Sequence, residues 1–267
     1  MSYQQEKFTA IANNIRACLK TNEKIKPSDF AEKVSEVFEA GKKSQYNKFW
    51  DEFQDNGNRR DYSYAFSNAA IESLIPKYKI VADKIMYAFM GCLKLVDISN
   101  FEIEVINSNP NMMYVFANCI KMVKGPKITF IAPIIKTYTS MYAGCQSLVD
   151  MSVYWGDGTK DPITQRNSCQ NMFFKCYKLK NIDFGAENTG SPLHLDLSYS
   201  TELTVESLRS LKNSLIPVDI EKAQTEKSVH EIKISTVTMD KIENEAPELL
   251  AEFNIKGWTL IEVERPT

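Results

Sequence analysis

The chain has 267 residues, 43% of them hydrophobic and 25% charged, with a formal net charge of −2. That is enough chain for one elongated domain or two compact ones, and the near-neutral balance gives no general basic surface for nucleic-acid phosphates. No apolar run approaches the roughly 20 residues that span a bilayer, so neither nucleic acid nor membrane insertion is expected of it.

Residues 1–7 lack the basic and then apolar regions of a secretory signal, so the expectation for a complete sequence is a chain made and kept in the cytoplasm, or one that leaves the cell by a route other than a cleaved signal. Residues 3–20 have helical periodicity, with Phe8, Ile11, Ile15, Cys18 and Leu19 on one stripe. Pro27 ends that pattern, and Pro27-Ser28-Asp29 suits the first turn of a second helix carrying Phe30, Val34, Val37 and Phe38. An aromatic stripe, Tyr46, Phe49, Trp50 and Phe53, runs on to the stop signal Asp55-Asn56-Gly57. Residues 1–58 therefore read as a helical docking and capping region. Phe8, Ile11, Ile15, Phe30 and Val34 are the docking candidates, and the aromatic stripe either covers an end of the next region or contacts another chain.

Residues 59–200 repeat one phrase. It occurs as Met86-Tyr87-Ala88-Phe89-Met90-Gly91-Cys92-Leu93-Lys94-Leu95, then as Met113-Tyr114-Val115-Phe116-Ala117-Asn118-Cys119. It returns as Met141-Tyr142-Ala143-Gly144-Cys145-Gln146-Ser147-Leu148 and as Met172-Phe173-Phe174-Lys175-Cys176-Tyr177-Lys178-Leu179. The cysteines step by 27 (92 to 119), 26 (119 to 145) and 31 (145 to 176), and Tyr64-Ala65-Phe66-Ser67-Asn68-Ala69 is a weaker copy with Ala in the Cys place. Steps of this size mark stacked units that bury their apolar faces on one another. In each unit the Met/Tyr-x-Phe part is expected to form a short helical turn and Gly-Cys or Asn-Cys a bend. Strands are expected at 95–98, 120–123, 148–151 and 179–182, with a second ladder at 101–106 and 128–135. The repeat core is Phe89, Cys92, Leu95, Phe116, Cys119, Cys145, Leu148, Phe173, Cys176 and Leu179.

Four of the six cysteines share one unit position, the kind of place usually taken by a small buried apolar residue. A reducing cytosol argues against disulfides, and zinc is disfavoured because no Cys-x-x-Cys pair exists and the only histidines are His194 and His230. On this reading Cys119→Ser places a hydroxyl in an apolar slot and destabilises the fold.

The longest spacer carries Tyr154, Trp155 and Asp157, candidates for partner contact because aromatic residues are enriched in binding hot spots. Asp157, Thr159 and Asp161 faintly echo a calcium loop, but the rest of that pattern is missing, and an ordinary turn is the better reading. Residues 201–267 read as an end cap: a helix beginning at Thr204, a strand from His230, a helix over 239–253 and a last strand from Trp258.

The Met-Phe/Tyr-x-Gly/Asn-Cys-x-x-Leu phrase resembles the BspA-like class of bacterial leucine-rich repeats over about residues 60–200. Lys24-Ile25-Lys26-Pro27-Ser28-Asp29-Phe30-Ala31, Phe38-Glu39-Ala40-Gly41-Lys42-Lys43 and Lys256-Gly257-Trp258-Thr259-Leu260 are similar to flanking segments of tail-region proteins from phages and prophages of Gram-positive bacteria. The resemblance implies an α/β fold: a leucine-rich-repeat solenoid of short parallel strands and short helical turns, with N-terminal helices and a C-terminal strand-helix-strand cap. It implies a non-enzymatic virion protein of the tail or baseplate region, structural or receptor-binding, assembled in the bacterial cytoplasm. Its partners would be other virion proteins, through the N-terminal helices, and a host cell-surface protein or glycan. A homo-oligomer stays open, although no sustained heptad run specifies one.

No catalytic pattern stands out. Gly-x-Ser-x-Gly and a phosphate-cradling glycine loop are both absent, the two histidines have no evident partners in sequence, and the carboxylates show no distinctive pairing. The expectation is no enzyme, no cofactor and no metal. A cell-surface adhesin with the same repeats, or a cell-wall polysaccharide hydrolase acting through two carboxylates, are the alternative readings.

Overall fold

The computed structural model describes residues 13, 61–68, 80–99, 102–106, 111–130, 137–153, 167–219 and 230–265. The docking candidates Phe8, Ile11, Ile15, Phe30 and Val34, and the spacer residues Tyr154, Trp155 and Asp157, lie outside these. Among the described residues the chain is mixed α/β, with short parallel strands in small sheets and three helices in its C-terminal part.

Strands β1 (Ile80–Ala82), β2 (Glu102–Val105) and β3 (Lys127–Phe130) form one parallel sheet in that order. Strand β4 (Asp150–Ser152) pairs with β6 (Asn181–Asp183), and β5 (Asn167–Ser168) with β7 (Pro192–Leu193), again in parallel. Near the C-terminus β8 (Glu231–Ser235) pairs in parallel with β9 (Thr259–Val263). The helices are α1 (Val205–Ser214), α2 (Thr236–Glu245) and α3 (Glu248–Ile255).

The repeated phrase does not make the helical turn that its Met/Tyr-x-Phe spacing suggested. It makes three overlapping turns, each closed by an i to i+3 bond: Ala88 N–H to Ile85 O (3.0 Å), Met90 N–H to Tyr87 O (3.2 Å) and Cys92 N–H to Phe89 O (3.2 Å). Each run of turns puts two residues, four apart, at positive φ: Tyr87 (61°) and Gly91 (73°), Tyr114 (56°) and Asn118 (60°), Ser140 (53°) and Gly144 (78°), Asn171 (55°) and Lys175 (59°). A left-handed residue every four positions stops a right-handed helix before it can propagate.

The backbone bonds run between units instead. Tyr87, Phe89 and Gly91 donate to the carbonyls of Met113, Val115 and Ala117, and Tyr114, Phe116 and Asn118 donate to those of Thr139, Met141 and Ala143. Ser140, Tyr142 and Gly144 then donate to Gln170, Met172 and Phe174. Alternate N–H groups of one unit thus pair with the next, the pattern of a parallel ladder.

This pairing registers the units on the cysteine and not on the methionine. Tyr142 therefore takes the place of Phe89 and Phe116, and Met141 that of Ala88 and Val115. The rings of Phe66, Phe89, Phe116, Tyr142 and Phe173 stack in one buried column, with centroids 5.1, 5.5, 5.4 and 6.0 Å apart and near-parallel planes. Each such ring contributes roughly 1.5–3 kcal/mol by leaving water. Stacked contacts add about 0.5–1.5 kcal/mol per pair. Leu95, Met122, Leu148 and Leu179 fill the next buried position along each unit. Of the paired positions, Asp97, Asp150 and Asn181 fall inside the expected strands 95–98, 148–151 and 179–182, and Lys124 lies one residue past 120–123. The leucines ahead of them turn into the core.

Helix α1 starts at Thr204, whose side chain accepts from Ser207 N–H, and buries Leu208 and Leu211, with Leu215 just beyond it. It also closes the β4–β6 sheet. Ser207 Oγ accepts from Ile182 N–H (2.9 Å) and donates to Lys180 O (3.0 Å), while Ser210 Oγ accepts from Phe184 N–H (2.9 Å). The single helix expected over 239–253 is two helices, broken at Ala246-Pro247, because proline lacks a donor and disfavours helix in the residue before it. Lys256 ties the cap down: its amine donates to Asn188 Oδ1, Asn213 O and Leu215 O, all within 2.9 Å. Trp258 is fully buried and donates from Nε1 to Ile216 O at 2.8 Å.

Candidate interaction surface

The repeat-core residues named from sequence, from Phe89 and Cys92 to Cys176 and Leu179, are fully buried, so they shape the molecule without being a contact surface. Their cysteines sit in slots that are not purely apolar. Cys92 Sγ donates to Phe66 O (3.2 Å), Cys119 to Phe89 O (3.2 Å), Cys145 to Phe116 O (3.0 Å) and Cys176 to Tyr142 O (3.1 Å). Each thiol thus bonds the unit before its own. A hydroxyl at such a position retains an acceptor, which corrects the expectation that Cys119→Ser would strand a polar group. Burial pushes the Cys145 thiol up and that of Cys176 up to about 12, and the neighbouring Cys145 thiol raises Cys119 well above its ordinary value. None of the described cysteines is in a disulfide, and the raised values of Cys119, Cys145 and Cys176 are the opposite of a nucleophilic thiol's.

Two grooves stand out among the described residues. The larger, about 510 Å³, runs beside the line of bridged positions Lys124, Asp150 and Asn181 and is bounded further by Lys127, Met151 and Asp183. Its wall at Gly125 is bare backbone: a Cβ there would lie 3.3 Å from Met151 Cβ and 3.6 Å from the Tyr142 hydroxyl. Asp150 Oδ1 accepts from Asn181 Nδ2 at 2.6 Å, and Asp183 Oδ1 accepts from Gly185 N–H at 2.9 Å. Nearby, the Asp97 carboxylate is held below its ordinary range by the Ser99 N–H and hydroxyl, with the Lys124 charge adding to the effect. Two lysines and two carboxylates balance along this groove. Both carboxylates are engaged in bonds within the fold.

The smaller groove, about 390 Å³, lies between Gln170, Asn171, His194, Asp196, Glu231 and Lys233. Arg265 spans its edge, bonding Asp196 Oδ2 and Ser198 Oγ at 2.8 Å each and lying 4.3 Å over the Tyr199 ring. His194 is exposed, with φ at 59°, whereas His230 is buried and meets Trp258 edge to face at 5.1 Å. The two histidines thus have different settings, one on the surface and one in the cap. Among the described residues no group of His, Cys, Asp and Glu is arranged to hold a metal ion, and no helix is long and apolar enough to cross a membrane.

Neither groove was read from sequence, because each gathers residues from segments 22 or more positions apart (128 to 150 at the closest). One surface feature was readable. Tyr64-Ala65-Phe66, Tyr87-Ala88-Phe89 and Tyr114-Val115-Phe116 share a Tyr-x-Phe step, and their tyrosines form a second stack outside the buried one, with centroids 4.6 and 5.0 Å apart. No family model, curated protein or solved structure matches the chain.

Proposed function

We propose that this chain is a non-enzymatic virion protein from the tail or baseplate region of a phage or prophage, built as a leucine-rich-repeat solenoid. Its N-terminal segment docks on the particle and its repeat surface contacts a structural neighbour or the host surface. The observation that supports this reading is the in-register repetition of the Phe/Tyr-x-Gly/Asn-Cys-x-x-Leu phrase, whose successive copies bond to one another through backbone and thiol. A surface of this kind is rigid and repetitive, properties suited to binding. The buried thiols are compatible with assembly in a reducing cytoplasm.

The test is the protein inventory of purified particles by mass spectrometry. The chain is expected in stoichiometric amounts with assembled tails, and recovery only as free protein from lysates would overturn the proposal.

A further inference from the structure

The outer tyrosine stack is the part of the repeat surface that the core does not explain. Tyr64, Tyr87 and Tyr114 all have left-handed backbone, with φ of 61°, 61° and 56°. Bulky residues are uncommon there, and single residues of this conformation are more often Asn or Gly. The same place in the following units is held by Ser140 (53°) and Asn171 (55°), so the turn forms without an aromatic ring. Three rings have been kept at a strained position, and the first of them is 52% exposed. The buried column beside them already supplies continuous ring stacking, so the outer one is not needed to join the units. Strain retained on a surface points to use.

The backbone ladder fixes the spacing of the rings at 4.6 and 5.0 Å. The described bonds beside the stack are uncharged: the Tyr87 hydroxyl donates to Met113 Sδ (3.7 Å), and exposed Asn111 donates to Met86 Sδ (3.4 Å). Burial and its two tyrosine neighbours raise the Tyr87 pKa, so the hydroxyl stays protonated, its proton towards Met113 Sδ and its oxygen an acceptor. A row of phenol hydroxyls and ring edges at a fixed interval of about one backbone ladder step complements a ligand that repeats at a similar interval. An extended chain of equatorially linked pyranoses does so, advancing one ring per step, with hydroxyls to bond and C–H faces to pack. Among the described residues the bonds beside the stack carry no cation to meet a polyanion, which favours a neutral chain.

We propose that the Tyr64–Tyr87–Tyr114 stack is a contact site for a neutral, equatorially linked polysaccharide. This rests on the receptor-contact reading above and names the class of receptor. The experiment is isothermal titration of the full chain with two soluble probes, the hexamer of β-1,4-linked N-acetylglucosamine and cellohexaose. Wild type should bind at least one of them. Tyr87→Asn should weaken that binding tenfold or more while leaving the melting temperature unchanged or higher, since Asn suits the left-handed turn. Tyr87→Phe, which keeps the ring and loses only the hydroxyl, should fall between the two. Binding of neither probe by wild type, or equal binding by Tyr87→Asn, would overturn the proposal. Either failure leaves the particle inventory untouched, so loss of the glycan site and loss of the virion assignment are separable.

Discussion

The side-chain oxygen of Asn118 occupies the space that a Cβ on Gly144 would need, 2.3 Å from that position. Asn68 stands in the same relation to Gly91, at 2.2 Å. All four residues have positive φ, so Asn and Gly alternate along one left-handed column, each amide lying over the bare backbone of the next unit. Gly144→Ala is expected to destabilise the protein by about 1–3 kcal/mol, from left-handed strain plus the clash. Adding Asn118→Gly should recover only the clash, a coupling of about 0.5–1.5 kcal/mol in a double-mutant cycle measured by urea unfolding.

The buried thiols lead to a pH prediction. Cys176 ionises at about 12 in the folded chain, against an ordinary 9.0. The folded state holds this proton more tightly than the unfolded state, so the associated stability is complete below about pH 9 and lost as pH rises towards 12. The urea midpoint should therefore stay level from pH 7 to 8.5 and fall above 9. At pH 8 a thiol reagent should label the five described cysteines only as the protein unfolds, and fast labelling of the native protein would contradict their burial.

Cysteine 119 distinguishes bonding from simple filling. Cys119→Ser keeps a donor for Phe89 O and is expected to cost about 1 kcal/mol, whereas Cys119→Ala loses both the bond and the sulfur's packing and should cost about 1–3 kcal/mol. Thermal unfolding of the two variants decides this, and an equal loss would show that the thiol acts only by volume.

Tyr142 is the one tyrosine in the inner column, and its hydroxyl has no hydrogen-bond partner among the described residues. Tyr142→Phe is expected to be neutral or to stabilise by up to about 1 kcal/mol, because an unpaired buried hydroxyl carries a desolvation cost. Calorimetric melting checks it, and a fall of several degrees would mean that the hydroxyl has a partner.

Ser207 should matter more than its small size suggests. Ser207→Ala removes the acceptor for Ile182 N–H and the donor to Lys180 O, and is expected to cost about 1–3 kcal/mol. Ser210→Ala, in the half-exposed neighbouring position, should cost less. Hydrogen exchange at the Ile182 amide would speed up in the first variant alone.

What was legible in the sequence is the set of positions that recur at a fixed distance from a cysteine. Phe89, Cys92 and Leu95 and their counterparts are buried because each unit must turn the same side chains inward to cover its neighbour. Alignment on the methionine hid Tyr142, since the place three residues before the cysteine is the one that keeps register. The turns were misread as helical because Tyr64, Tyr87 and Tyr114 sit where local preference disfavours tyrosine, a choice settled by neighbouring units and not by the residues themselves. Pro247 was in plain view, and its break in the helix follows from its missing donor. The serine contacts of α1 and the groove at Gly125 depend on residues 25 or more apart, which no local pattern encodes.

The serines of α1 have a further consequence. A row of open N–H and C=O groups at the end of a parallel ladder is a template on which another molecule with the same edge can grow. At Ile182 and Phe184 those N–H groups are taken by hydroxyls carried on a helix, which offers no such edge in return. The β4–β6 ladder therefore carries its own chain terminator. A protein made of self-complementary units has its length set by its gene at this end, and crowding many copies together will not polymerise them there.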